Sequence, residues 1–203
     1  MTTKTAQLVE QFKASVSLTG AILYQAKDTQ DAREYILKLA QERNIKNAVE
    51  TKSNLASNME LAKHLEKSGI SITETSPDSA IAIDVDKHAL RDKYINADLG
   101  ISEADIAIAE TGTLVLIGND GSTRLGAVLP RIHLTLLDTR NLVETLDDAT
   151  ARVKSLPQKK TKGKMPAYIT YLTGRNTTAD IPGAIFARAQ GPAEEHIVLV
   201  IYQ

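Results

Sequence analysis

Short strand-like apolar runs alternate along this chain with longer segments whose apolar residues recur at helical spacing. That alternation restricts the fold more than any other feature. Strand-like runs fall at 47–51, 70–75, 105–109, 113–118, 167–173 and 196–202, and another carries Ile132, Leu134 and Leu136. Helical spacing marks 5–24 (Leu8, Phe12, Val16, Ile22, Leu23) and 31–43 (Ala32, Ile36, Leu39, Ala40), the latter capped by Asp28 or Thr29. Leu55, Met59, Ala62 and Leu65 mark a third helix that Gly69 ends, and 87–95 reads as a short one. Asn141 and Glu144 read as a capping box for a helix carrying Leu142, Leu146, Ala149, Val153 and Leu156. Strands that alternate with helices stack into an α/β layer fold. The short gap Glu110-Thr111-Gly112 between two strands adds a hairpin or a sharp bend. The expected fold is therefore α/β, a mixed, mainly parallel sheet flanked by helices. Residues 1–45 form an N-terminal helical arm, docked on the rest or on a neighbouring subunit, and 46–203 form the domain.

Composition narrows the function. Lys+Arg is 24 against Asp+Glu 25, a formal net charge of −1. This excludes a strongly basic nucleic-acid footprint and a polybasic membrane binder. The longest apolar run, 197–202, is about six residues against the roughly 20 of a spanning helix. The first 20 residues carry charge throughout, unlike a secretory signal, so a soluble cytoplasmic protein is expected. There is no Cys, hence no disulfide, no thiolate nucleophile and no Cys-ligated cluster or zinc. Redox electrons would reside on a bound cofactor or a partner, and no cofactor is expected from the chain's own motifs. Dinucleotide, P-loop, hydrolase-elbow and zincin patterns are all missing from the sequence.

Four constellations remain. Glu110-Thr111-Gly112-Thr113 and then 119–124 (Asn119, Asp120, Gly121, Ser122, Thr123, Arg124) lie in a stretch with Gly at 112, 118, 121 and 126. Such density lets a ligand approach the backbone. Glu110, desolvated at a strand end, would suit acid–base or nucleophilic work. The plainer alternative is two hairpin turns. Thr173-Gly174-Arg175-Asn176-Thr177-Thr178-Ala179-Asp180 follows a strand and leads toward a helix start. There, backbone N–H groups could cradle an anion and Arg175 close on it, or Thr177 or Thr178 could simply cap the helix with Asp180 at its positive end. Lys52-Ser53-Asn54 sits where α/β folds bind ligands, at the end of a strand, or else Ser53 or Asn54 caps the next helix. Asp84, Asp86 and His88 would share one face only on a strand, and Asp86 equally makes an N-cap. His133 and His196 border strands, as structural groups or as proton carriers. The lysine-rich 158–164 reads as a solvated loop.

The stretch KYINADLGISEADIAIAETGTLVLIGNDGSTRLGAVLPRIHLTLLD resembles the LUD (lactate utilization) domain signature: A-E-T-G-T, then N-[ED]-G-x-x-R, then L-P-x-x-H. Thr51-Lys52-Ser53-Asn54, TGRNTTADI and QGPAEEHIVLVIY resemble further segments of that family, so the likeness covers roughly 45–203. Gly174-Arg175-Asn176 stands where members usually carry Gly-Pro-Ser, and Gln190-Gly191-Pro192 where they carry His-Gly-Pro. The resemblance implies a fold similar to the sugar-phosphate isomerases and CoA-transferases. It also implies a part in oxidation of L-lactate to pyruvate beside iron–sulfur partner proteins, this Cys-free chain being similar to the short LUD-only subunit. The alternative is a stand-alone enzyme or binding protein for a small anionic metabolite such as an acyl-CoA or sugar phosphate. Glu110 would then be nucleophile or base and Lys52, Arg124 or Arg175 the anion anchor. Whether the chain is itself an enzyme or a homo-oligomer stays open at this point. The expected ligand-binding set is Lys52, Ser53, Thr111, Gly112, Thr113, Asn119, Arg124, Gly174, Arg175, Thr177, Thr178 and Asp180, with no metal.

Overall fold

The computed structural model describes residues 3–75, 87–118, 121–155, 166–175, 177–181, 184–187 and 191–201. In chain order the first half carries α1 (Thr3–Ser17), β1 (Ile22–Ala26), α2 (Thr29–Glu42), β2 (Asn47–Thr51), α3 (Asn54–Asn58), α4 (Leu61–Lys67), β3 (Ser71–Thr75), α5 (Lys87–Ile95) and β4 (Leu99–Glu103). The second half carries β5 (Ile106–Ile108), β6 (Thr113–Gly118), α6 (Ser122–Val128), β7 (Ile132–Asp138), β8 (Leu142–Val143), α7 (Leu146–Ser155), β9 (Tyr168–Leu172), β10 (Thr177–Ile181), β11 (Ala184–Ala187) and β12 (Glu194–Val200).

Six strands form the main sheet in the order β1-β12-β7-β4-β2-β3, with every neighbouring pair parallel. Parallel strands are covered on both faces and need apolar side chains on both. On one face Ile101, Leu134, Leu136 and Val198 pack under α2, which buries Ala32, Ile36, Leu39 and Ala40, and under α3 and α4. On the other, Leu137, Ile197 and Leu199 meet Val9, Phe12 and Val16 of α1, Ala127 of α6, and Leu114 and Leu116 of β6. A second sheet, β8-β5-β6-β9, carries the antiparallel β5–β6 hairpin, and β10–β11 form a separate antiparallel pair. The expected α/β architecture with a mainly parallel sheet is what the chain adopts.

Local chemistry explains the boundaries. Asp28 accepts from the Asp31 N–H at 2.8 Å and so starts α2. Gly69 N–H reaches the Glu66 carbonyl and Ile70 N–H the Leu65 carbonyl, the double closure that ends α4.

Several expectations change. The helix expected over 5–24 stops at Ser17, and Ile22–Ala26 is an edge strand, because Ile22 and Leu23 prolong the apolar period by coincidence. Within 1–45, then, α1, β1 and α2 all pack on the described core. The third helix is two, α3 and α4, broken where Glu60 takes a left-handed φ of 48°. Asn141 and Glu144 do not cap a helix. Leu142 lies in β8, and Thr145 and Asp148 exchange side-chain and backbone hydrogen bonds at the start of α7. No helix starts at Thr177 or Thr178, since 177–181 is β10. Asn119, Asp84, Asp86, the 158–164 run and the side chains of His88, Thr177, Thr178 and Asp180 lie outside the described residues. Among the described residues no helix is long and apolar enough to cross a membrane.

Candidate functional site

A cleft of about 310 Å³ opens at the amino ends of β1 and β12. Its walls are Ala127 and Val128 at the end of α6, residues 171–175 at the end of β9, Gly191 and Pro192 just before β12, and Glu195 on β12 itself. Arg175 supplies its positive charge and Glu195 its negative charge.

The turn that carries Arg175 packs against residues 19 and 20, just after α1. Gly174 has φ +69°, and a Cβ there would sit 2.2 Å from the Thr19 carbonyl oxygen. A Cβ on Gly112, also at positive φ, would lie 2.9 Å from Val16 N. Gly112 therefore abuts the last turn of α1, and Gly174 abuts the turn that follows it. Arg175 in turn packs its stem against Gly20. A chain of hydroxyls joins the loops: Thr111 Oγ1 donates to Thr113 Oγ1 at 2.7 Å, and Thr113 Oγ1 lies 2.8 Å from Thr173 Oγ1. Thr111, Gly112, Thr113, Gly174 and Arg175 are thus brought together.

Other expected residues stand elsewhere. Glu110 is exposed and accepts from the Leu146 N–H at 2.9 Å, capping the first turn of α7. Ser53 accepts from the Ala56 N–H and donates to Glu103 at 2.8 Å, while Glu103 also accepts from the Leu55 N–H. This capping cluster lies at the carboxyl edge of the main sheet, where Lys52 is exposed. Arg124 is exposed on α6, one turn before the cleft wall.

Sequence reasoning missed the polar row behind the cleft. Glu195, His133 and Ser102 stand on the adjacent strands β12, β7 and β4, beneath α6. His133 Nδ1 lies 2.7 Å from Glu195 Oε2, and His133 Nε2 lies 2.8 Å from Ser102 Oγ. Thr135 donates to Glu195 Oε1 at 3.1 Å. Ser102, His133 and Thr135 are fully buried, and Glu195 is 2% exposed. The L-P-x-x-H segment and its His133 were the available signals; the partners follow only from strand order. His196, the other histidine bordering a strand, faces away. Its Nδ1 meets the Tyr35 hydroxyl at 3.0 Å and its Nε2 meets Glu194, which also pairs with Arg43 at 2.9 Å. Burial holds the His196 pKa below its ordinary value, against the pull of Glu194, which favours the neutral imidazole.

A second buried acid lies outside the cleft. Glu50 on β2 is 6% exposed, and its Oε2 has no partner among the described residues. Burial, aided by Glu74 on the neighbouring strand, pushes its pKa up to about 7.

Residues 9–200 match the model of the LUD domain. The chain is 27% identical to lactate utilization protein B of Geobacillus kaustophilus (strain HTA426) over 94% of this chain and 47% of that protein. With the Bacillus subtilis (strain 168) protein B the identity and both coverages are the same. It is 24% identical to the uncharacterized electron transport protein YkgF of Escherichia coli (strain K12), again over 94% of this chain and 47% of that protein. The chain thus spans about half the length of the curated relatives it matches. Among solved structures, a DUF162 family protein from Deinococcus radiodurans aligns with TM-score 0.63 at 17% identity, over 97% of this chain and 98% of that one, which shows the shared fold.

Proposed function

This chain belongs to the LUD-domain family, and we propose that it serves the cytoplasmic oxidation of L-lactate to pyruvate as a Cys-free subunit working with iron–sulfur partner proteins. On this reading it corresponds to lactate utilization protein C, the short LUD-only member of that system. Protein B relatives and an electron transport protein among its matches support the pathway class. The absence of Cys supports the division of labour, because this chain cannot itself ligate a cluster through thiolates.

The observation that carries the reading is the Arg175 cleft. A guanidinium matches a carboxylate with two parallel hydrogen bonds, which an ammonium cannot do. A volume of about 310 Å³ lies at the small end of ligand pockets, which run from roughly 300 to 1,000 Å³, and suits a short 2-hydroxy or 2-oxo acid. Binding to the folded state alone raises the melting temperature. L-lactate or pyruvate should therefore stabilise the wild-type chain and leave Arg175→Ala unmoved. Affinity capture from the native host should recover an iron–sulfur protein. Failure of both acids to shift the melt, together with capture of no such partner, would refute the assignment.

Stabilisation by acyl-CoAs or sugar phosphates, with none by lactate or pyruvate, would select the alternative of a stand-alone enzyme or binding protein for a larger anion.

A further inference from the structure

A row of buried polar side chains crosses the face of the main sheet that α6 covers; Glu50 and His196 are buried apart from it. Glu195, His133, Thr135 and Ser102 cross three central strands, and all are essentially inaccessible apart from the edge of Glu195 that lines the cleft. Stability alone does not call for such a row, since apolar residues of similar volume commonly serve a core as well or better. A carboxylate and an imidazole in hydrogen-bond contact at the wall of a cleft can instead hold and pass a proton.

The imidazole and the carboxylate keep hydrogen-bond partners in either protonation state. With Glu195 ionised and His133 neutral, Nδ1–H donates to Glu195 and Nε2 accepts from the Ser102 hydroxyl. When His133 gains a proton, Nε2–H donates, and the Ser102 hydroxyl rotates to accept. Thr135 donates to the remaining carboxylate oxygen in both states. Hydroxyls are the side chains able to reverse roles in this way.

The surroundings decide what the proton is for. Facing Glu195 are His133 and Thr135 from β7, Ala127 and Val128 from α6, Tyr171 and Arg175 from the end of β9, and the Gly191–Pro192 turn. Arg175 is the cation of this set. Glu194 and His196 lie on the opposite face with Arg43 and Tyr35, Arg131 sits beside Glu194, and Arg124 is exposed. An anionic ligand on Arg175 would face the Glu195 carboxyl group across the cleft, and a proton held by the Glu195–His133 pair would remove the repulsion between two like charges there.

We infer that Glu195, backed by His133 and Ser102, is the proton-exchanging group of this cleft, and that a small hydroxy- or oxo-carboxylate binds there together with one proton. This rests on the reading of the cleft given above. Glu195 is the residue that meets the ligand; His133 and Ser102 are positioning residues that hold and share its proton. The step moves one proton from solvent to the pair and transfers no electrons.

Isothermal titration of the full chain with pyruvate and with L-lactate reads the linkage directly. Titrations run from pH 6 to 8 in buffers that differ in ionisation heat and carry neither carboxylate nor phosphate. The wild type should take up as much as one proton per ligand, its affinity falling about tenfold per pH unit above the transition. Glu195→Gln should bind without proton uptake, with pH-independent affinity at least equal to wild type at pH 8. Glu195→Asp should restore the uptake, and His133→Asn should move the pH at which it sets in. Melting curves check that each variant is folded. Wild-type binding without proton uptake, or an unchanged pH slope in Glu195→Gln, overturns the inference and leaves the ligand assignment standing. Binding of neither acid overturns both.

Discussion

Replacing Gly174 with Ala tests how the cleft is held, and Gly121 is its internal control. Both residues have positive φ, +69° and +81°, a region that costs an L-residue with a Cβ about 1 to 2 kcal/mol. Their surroundings differ. A Cβ on Gly121 meets nothing within 4 Å, whereas one on Gly174 would lie 2.2 Å from the Thr19 carbonyl oxygen and 2.6 Å from the Thr19 Cβ. Gly121→Ala should therefore cost only the backbone strain. Gly174→Ala should cost a further 1 to 3 kcal/mol or so, the usual penalty of overpacking. In a domain of this size 1 kcal/mol moves the midpoint by about 2 to 4 °C, so Gly174→Ala should melt roughly 2 to 12 °C below Gly121→Ala. Because Arg175 is the next residue, the same variant should weaken carboxylate binding, while Gly121→Ala should not. Paired thermal melts and carboxylate titrations decide it. Equal melting points, or a Gly174→Ala protein that binds pyruvate as the wild type does, would refute the claim that the turn after α1 buttresses the cleft.

Two further outcomes follow from the same coordinates. Glu110→Ala removes the acceptor for the Leu146 N–H and should cost about 1 kcal/mol, read as a melting shift of a few degrees, with binding of small carboxylates unchanged. Glu50 supplies a pH signature. Its folded pKa, about 7, stands above the ordinary 4.5, so folding favours the protonated acid and this contribution falls away as pH rises from 4.5 to about 7, then levels off. Roughly 3 kcal/mol is at stake over that window, and Glu50→Gln should remove this fall from denaturant-derived stabilities measured between pH 4.5 and 8. An unchanged profile would contradict the buried, unpartnered placement of its carboxyl group.

What could be read in the sequence was whatever local periodicity or capping encodes. Helix α2 shows its apolar stripe and its Asp28 cap, and β2, β6 and β7 show their apolar runs. Strand β4 escaped because Gly100, Ser102 and Glu103 dilute its apolar run, and Ser102 is there for the polar row rather than for packing. Helix α6 escaped because it is under two turns long and begins at Gly121 without a side-chain cap. In the cleft, Gly174 and Arg175 were legible because a glycine beside an arginine after a strand marks a turn that presents a cation. Glu195 was not, since it lies within the run Glu194-Glu195-His196, whose facing alternates between the two sides of the sheet. Its partners are 62 and 60 positions away, and only the order β12-β7-β4 brings them together. The carboxyl edge of the sheet, where α/β proteins ordinarily bind ligands, drew attention to Lys52 and Ser53, but there Ser53 and Glu103 are occupied in capping α3.

Amide chemical-shift mapping during titration of the isotopically labelled chain with pyruvate tests the central claim most directly. The account predicts shifts concentrated at Thr173, Gly174, Arg175, Gly191 and Glu195, around the amino ends of β1 and β12. Shifts concentrated instead at Lys52, Ser53 and Glu103, on the opposite edge of the sheet, would contradict it.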